Sequence, residues 1–305
     1  KRGRVSINRV NDATRRILKV KSACGLFGKA RPADRTWSTH ESFGGAAHRA
    51  VAREAVRKSL VLLKNNDFLL PLDKNARIFV AGKNAHDCGH QCGGFTLNWQ
   101  GRSGNKHLKG ATSVWEGINK AVSRATLSAR ADGSDANPDL HDVAIVVIGE
   151  TPYAEGLGDV RSGDQVIVEA GAQIRGSLDV VEPYGNTLEL ARLHPEDHRV
   201  IRTVTSMGIP VVVVMISGRP LVVNQELEMS TAFVAAWLPG SEGQGIADVL
   251  FGDFDFKGRL PFAWPGYADT KSDNSHSCRA PLFSFGYGMT YGEPQYNQPL
   301  ESLSA

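Results

Sequence analysis

A short glycine-rich stretch carries three carboxylic acids within ten residues. The stretch 149–159 contains Glu150, Glu155 and Asp159, and it follows directly on an apolar run at 143–148. Acid/base chemistry on an acetal needs a carboxyl group whose pKa is raised by its surroundings and which reaches the substrate. The residue types leave the choice open. Glu150 adjoins the strand, where backbone donors can hold it, whereas Glu155 is freer to project, and all three acids can also be solvated turn residues.

A second glycine-rich stretch, 93–101, places two aromatic residues among polar ones. Phe95 and Trp99 are four residues apart and follow the pair Gly93-Gly94. Paired glycines let a backbone approach its partner closely, and aromatic rings with polar neighbours suit stacking on the apolar face of a sugar. The alternative is that both rings belong to the core. The glycine-rich, polar setting favours the rim of a binding site.

Other candidate residues carry weaker signals. Arg219 follows an apolar run and could bind an anion, although an ion pair across a sheet edge is the favoured interpretation. Cys88 and Cys92 stand close to two histidines, but their spacing and the absence of a second cysteine pair argue against zinc. The sequence has no dinucleotide, Walker, serine-hydrolase or zincin motif. We therefore expect no metal and no cofactor.

The composition bounds the class of protein that positions these groups. The chain has 305 residues, of which 41% are apolar and 22% charged, with a net charge of +3. This is enough apolar material for a packed core and too little charge for disorder. The near balance of charge argues against nucleic acid or an anionic membrane as partner, and no apolar run approaches the length of a membrane span.

Apolar runs alternate with helical patterns along the chain. Helices are predicted at 1–21, capped by Asn11-Asp12, and at 46–64, 113–123, 196–207 and 241–250, the last capped by Ser241-Glu242. Strands are predicted at 78–81, 143–148, 210–216 and 232–237. Strands without polar alternation are buried on both faces, which predicts a mainly parallel sheet between helices. Ligands bind beyond the carboxyl ends of such strands, so we expect the loops 82–101, 149–159, 217–219 and 239–245 along one edge.

These motifs, in this order, resemble the carboxyl-terminal half of glycoside hydrolase family 3. The resemblance extends over about residues 5–292 and is closest to exo-acting glucan β-glucosidases. Its residues include VNDATRRIL at 10–18, the stretches 54–65, 93–101, 149–159, 209–214 and 217–221, AAWLPGSEG at 235–243, 251–253, and FGYGMTY at 285–291.

The resemblance implies a fold and a division of labour. The fold is a six-stranded α/β sandwich at 46–291, after a segment 1–45 that holds the last helix of an absent (β/α)8 barrel and a linker, and before a tail at 292–305. The barrel supplies the nucleophile, and Glu155 is the general acid/base of a retaining β-glucosidase that releases glucose from non-reducing ends. Trp99 grips the next sugar. The family pattern has Trp where this chain has Phe95.

Further expectations follow from the resemblance. The substrate is a β-glucan oligosaccharide or a β-glucoside, the partner is the barrel, and the location is periplasmic or secreted. Because the nucleophile is absent, these 305 residues alone should be inactive. Glu150 and Arg219 are supporting candidates. The alternative from another class is a non-catalytic α/β module that binds carbohydrate or a protein through the same sheet edge.

Overall fold

The computed structural model describes residues 4–155, 157–158, 187–268 and 280–293, together with the backbone of two short strands at 167–168 and 180–181. The expectations for Asp159 and for most of the tail 292–305 concern residues outside these ranges.

The chain divides into two compact units, Lys1–Arg49 and Ala50–Ala305. In the first unit, helix α1 (Ile7–Ala23) precedes two short 3-10 turns. Its cap is Ser6, whose hydroxyl accepts the backbone N–H of Arg9 at 3.3 Å, and the predicted Asn11-Asp12 cap was wrong. None of the side chains of α1 is buried.

The second unit is built on one six-stranded sheet. Its spatial order is β1-β8-β7-β4-β2-β3, and every neighbouring pair is parallel except β1 with β8. Two further strands, β5 and β6, form a separate antiparallel pair. The strands are β1 Val61–Asn65, β2 Ile78–Ala81, β3 Ala125–Leu127, β4 Val143–Gly149, β5 Ile167–Val168, β6 Val180–Val181, β7 Val211–Ile216 and β8 Ala232–Trp237.

Helices cover both faces of the sheet. Strand β4 shows why: Ile145 and Val147 pack in one apolar cluster with residues of α4 and α8, while Val146 and Ile148 pack in a second cluster with residues of α6 and α7. A strand buried on both faces is apolar at every position, so the predicted sandwich is confirmed. The helices after α1 are α2 Ala46–Ser59, α3 Cys88–Cys92, α4 Val114–Ala121, α5 Leu190–Leu193, α6 Pro195–Ser206, α7 Asn224–Met229 and α8 Gln244–Leu250.

Two sequence predictions need correction at the ends of helices. Helix α2 ends at Ser59 and not at 64, because residues 61–65 are all buried as strand β1 and pair with β8. A short apolar run does not distinguish a buried strand from a buried helix. Helix α8 begins at Gln244 with Gly243 as its cap and has no side-chain cap, so Ser241-Glu242 lies before the cap. Helix α4, which lies within the helix predicted at 113–123, begins with a capping box formed by Ser113 and Glu116.

The topology gathers the candidate loops. Because β2, β4, β7 and β8 run parallel, their carboxyl ends lie at one edge of the sheet, and the four predicted loops leave from that edge. Among the residues described, no helix is both long enough and apolar enough to span a bilayer.

Candidate functional site

Two loops at this edge enclose an open cleft of about 420 Å³. We call residues 93–101 the glycine loop and residues 149–158 the carboxylate loop; all of the carboxylate loop except residue 156 is described. The cleft is lined mainly by these two loops, with Gly218 and Leu238 from the chain after β7 and β8. The fold therefore brings the two stretches selected from the sequence together at one cleft.

Glycine is required where the backbones meet. At Gly149 φ is +135°, and a Cβ atom would lie 1.8 Å from the carbonyl oxygen of Ile216. At Gly94 a Cβ atom would lie 2.0 Å from the carbonyl oxygen of Tyr153, on the opposite loop. Only glycine allows such close approach, so these residues fix the start of the carboxylate loop and its distance from the glycine loop.

Glu155 is an exposed residue that lines the cleft. The indole N–H of Trp99 donates a hydrogen bond of 2.7 Å to its carboxylate. The neighbouring Gln100 donates from Nε2 to the backbone carbonyl of Glu155 at 3.0 Å and accepts the N–H of Ala154 at 2.8 Å. The glycine loop therefore holds both the side chain and the backbone of Glu155.

Glu150, five residues earlier, is 3% exposed. Its carboxylate accepts from Arg219 Nε at 2.8 Å, from a second Arg219 nitrogen at 2.7 Å, and from the Tyr153 hydroxyl at 2.8 Å. Burial raises the pKa of Glu150, while the charge of Arg219 and the Tyr153 hydrogen bond act against that rise. Arg219 and Tyr153 thus supply protein donors to the buried carboxylate of Glu150.

Arg219 closes the base of the carboxylate loop. Besides pairing with Glu150 it donates to the carbonyl oxygen of Gly158, and its guanidinium lies 4.6 Å from the centre of the Tyr153 ring. The side chain thus links residues near both ends of the loop. The ion-pair interpretation of Arg219 agrees with these contacts.

Phe95 stands at the mouth of the cleft and is 71% exposed. Its φ is 58°, and that of Leu97 is 70°, although neither residue is glycine. Left-handed backbone at such residues costs free energy and is concentrated at functional sites. The N–H of Phe95 donates to the carbonyl of Trp99 at 2.9 Å, which closes the glycine loop on itself.

The cysteine stretch forms the short helix α3 behind the glycine loop. Burial raises the pKa of Cys88 to about 12, which keeps the thiol protonated near neutral pH. Among the described residues, the potential metal ligands that lie close together are His194, Glu196 and Asp197. Lys83 Nζ already lies 2.5 Å from Glu196 and 3.0 Å from Asp197, so a lysine supplies the positive charge there.

Sequence reasoning missed residues that hold the loops in place. Gln100 follows Trp99 directly and Tyr153 lies between the two glutamates, so both stood beside residues already selected. Asp197, which contacts Gly149, and Lys83, which pairs with Asp197, are distant in sequence from the carboxylate loop, and no local spacing could have indicated these contacts.

Comparison with known proteins assigns the chain to a family. Residues 60–291 match the family described as "Glycosyl hydrolase family 3 C-terminal domain". The chain belongs to this family, in agreement with the resemblance seen in the sequence.

Individual relatives agree with this assignment. The crystal structure of an exo-1,3/1,4-β-glucanase from a Pseudoalteromonas species is 42% identical, with a TM-score of 0.77 over 97% of this chain and 35% of that chain. A lysosomal beta glucosidase of Dictyostelium discoideum is 29% identical, over 95% of this chain and 35% of its own length. A periplasmic beta-glucosidase of Salmonella typhimurium is 28% identical, over 95% and 41%. The chain thus spans about two fifths or less of each relative's length.

Proposed function

We propose that this chain is the acid/base-bearing domain of a retaining β-glucosidase or exo-β-glucanase, with Glu155 as the catalytic acid and base. The observation that carries the proposal is the difference between the two glutamates of the carboxylate loop. Both glutamates line the cleft, but Glu150 is 3% exposed and its carboxylate is held by Arg219 and Tyr153, whereas the Glu155 residue is exposed. A group that exchanges protons with a substrate and with water needs such access.

The mechanism follows from the requirements of retention. Two carboxyl groups about 5–5.5 Å apart flank the scissile bond in a retaining glycosidase. Glu155 donates its proton to the leaving oxygen while the nucleophile attacks the anomeric carbon and forms a glycosyl-enzyme. Glu155 then removes a proton from water, whose oxygen displaces the nucleophile. The proposed source of the nucleophile is a barrel domain outside these 305 residues.

Substrate recognition is assigned to the rim of the cleft. Trp99 grips the sugar on the leaving-group side while its indole N–H orients Glu155. Phe95, largely exposed, adds apolar surface at the mouth. The name of the Pseudoalteromonas relative, an exo-1,3/1,4-β-glucanase, supports a β-glucan oligosaccharide or β-glucoside as substrate. The name of the Salmonella relative supports a periplasmic or secreted location.

The experiment compares the chain alone with a protein that joins it to the barrel domain. Each is assayed on an aryl β-glucoside and on β-glucan oligosaccharides, and the anomeric form of the released sugar is followed by NMR. We expect turnover with retention, and glucose as product, only from the joined protein. Turnover by the 305 residues alone, or inversion by the joined protein, would contradict the proposal.

A binding experiment separates the proposal from a non-catalytic module. Calorimetry measures binding of β-glucan oligosaccharides to the chain with and without the barrel. Binding without hydrolysis in the joined protein would favour the carbohydrate-binding alternative.

A further inference from the structure

One buried carboxylate outside the cleft contacts the start of the carboxylate loop. Asp197 lies in the first turn of α6 and is 1% exposed. Its Oδ2 accepts the backbone N–H of Gly149 at 3.0 Å. Gly149 ends strand β4 and immediately precedes Glu150. The contact therefore links helix α6 to the residue at which the sheet gives way to the loop.

A cation from a neighbouring strand completes this contact. Lys83 follows the end of β2, and its Nζ lies 3.0 Å from the same Asp197 oxygen and 2.5 Å from Glu196. Burying a carboxylate is costly unless it is paired and hydrogen-bonded. The raised pKa of Asp197, about 7, reflects that burial against the attraction of Lys83. Such a group is retained at a cost, which calls for an explanation beyond packing.

The hydrogen bond that Asp197 accepts from the Gly149 N–H gives a reason to retain this buried carboxylate. The backbone there adopts φ of +135° with no room for a side chain, and the following Glu150 N–H donates to the carbonyl of Ile216 at 2.9 Å. The amide side chain of Asn84 adds a donor to the carbonyl of Glu150 at 3.2 Å. Each of these groups fixes the direction in which the chain leaves β4. Glu155 lies five peptide units beyond Glu150, so a change of direction here is carried toward its carboxylate.

We propose that Asp197, held by Lys83, is a positioning residue that orients the carboxylate loop and thereby places Glu155 for proton donation. This inference rests on the proposed function of Glu155. Asp197 contacts no substrate in this account and acts through the backbone of Gly149. A displacement of about 1 Å at a reacting group is enough to slow catalysis substantially.

The test uses two isosteric substitutions in the protein that carries the barrel domain. Asp197→Leu keeps the shape of the side chain and removes both oxygens, whereas Asp197→Asn keeps an acceptor for the Gly149 N–H. Asp142→Asn is the matched control, since Asp142 also accepts a backbone N–H, that of Arg77, and pairs with the Arg77 side chain, at the opposite edge of the sheet. Should Asp197→Leu fail to accumulate as folded protein, Asp197→Ser supplies the test, because its hydroxyl is too short to reach Gly149.

The readout is the dependence of kcat/KM on the leaving group, because kcat/KM reports formation of the glycosyl-enzyme and not the later step in which Glu155 acts as a base. Departure of a poor leaving group needs proton donation, whereas dinitrophenolate departs without it. Active enzyme is counted by its burst with a 2-fluoroglucoside, so that loss of folded protein does not enter. For Asp197→Leu we expect about a tenfold loss of kcat/KM on the poor leaving group with little change of kcat/KM on dinitrophenyl glucoside. We expect Asp197→Asn within about threefold of the parent and Asp142→Asn unchanged.

Equal leaving-group dependence in Asp197→Leu and the parent would overturn the inference, as would an equal loss on both substrates. Glu155→Gln is measured in parallel. If Glu155→Gln is impaired and Asp197→Leu is not, the positioning role fails and the proposed function stands. If Glu155→Gln is itself unimpaired, the proposed function fails.

Discussion

The carboxylate loop carries two glutamates, and these lie in opposite surroundings. At the root, Glu150 is enclosed by an arginine, a tyrosine hydroxyl and the sheet edge. At the tip, Glu155 is exposed and borders the cleft, held by the glycine loop through Trp99 and Gln100. A buried, paired carboxylate contributes rigidity, and one beside an open cleft is available to a ligand. Both residues are glutamates, so the difference between them comes from their surroundings and not from their chemical type.

Glu155→Gln in the protein with its barrel gives the largest expected effect. The amide has no proton to donate to a leaving oxygen, so kcat should fall by about two to four powers of ten, the usual scale of general acid/base catalysis. Steady-state kinetics on aryl glucosides with poor leaving groups measures it. The free energy of unfolding of this variant should remain within about 1 kcal/mol of the parent, because the replaced group is exposed. A near-normal kcat would contradict the assignment of Glu155 as the catalytic acid and base.

Glu150→Gln should act on stability. The substitution leaves the Arg219 guanidinium without its anionic partner, and breaking a buried ion pair costs about 3–5 kcal/mol. Urea unfolding of the 305-residue chain measures the loss, with Glu155→Gln as the matched control of identical chemistry. An unchanged free energy of unfolding, together with abolished turnover in the joined protein, would reverse the two roles.

The stability of the chain should depend on pH through His194, the residue immediately before helix α6. Burial is the main cause that lowers its pKa to about 4 from 6.5. The unfolded chain therefore takes up a proton on His194 at higher pH than the folded chain does. Stability is lost as pH falls from about 6.5 toward 4, by up to about 3 kcal/mol. In His194→Gln this loss should be absent.

The measurement is urea unfolding of the parent chain and of His194→Gln at several pH values. The neighbouring Asp197 titrates in both proteins, so the difference between them isolates the histidine. A difference that stays constant between about pH 7 and about pH 4 would contradict the expectation.

Trp99→Ala tests whether Trp99 binds the sugar on the leaving-group side, and its expected effect is smaller. Loss of the ring should raise KM for glucan disaccharides by about tenfold, corresponding to about 1.4 kcal/mol, and should raise it less for aryl glucosides. Trp99→Phe is the matched variant, because it keeps a ring and removes only the N–H that reaches Glu155. Equal changes of KM on both substrate types would remove Trp99 from the leaving-group side.

The sequence allowed more of the fold to be predicted than of the site. Four strands were readable because burial on both faces makes them apolar throughout, as in β4. Strand β3 has three partly exposed or exposed residues and gives no such signal, and β1 was absorbed into the pattern of the preceding helix. The six-stranded count came from the family resemblance.

For the candidate site, local sequence selected two loops that the fold brings together at one cleft, and it left the roles of their residues open. Glu150 and Glu155 differ by contacts with Arg219 and Trp99, which lie 69 and 56 residues away along the chain. The Asp197 contact with Gly149 spans 48 residues. Such pairings follow from the order of strands in the sheet, and spacing within a loop carries no trace of them.

The role of Glu155 as catalytic acid and base is tested most directly by azide rescue of Glu155→Gln in the protein that carries the barrel. With a good leaving group the glycosyl-enzyme still forms, and azide, which needs no general base, should intercept it. We expect accelerated turnover and a β-glucosyl azide from Glu155→Gln, with no azide product from Glu150→Gln. An α-glucosyl azide from Glu155→Gln, or rescue of Glu150→Gln alone, would contradict it.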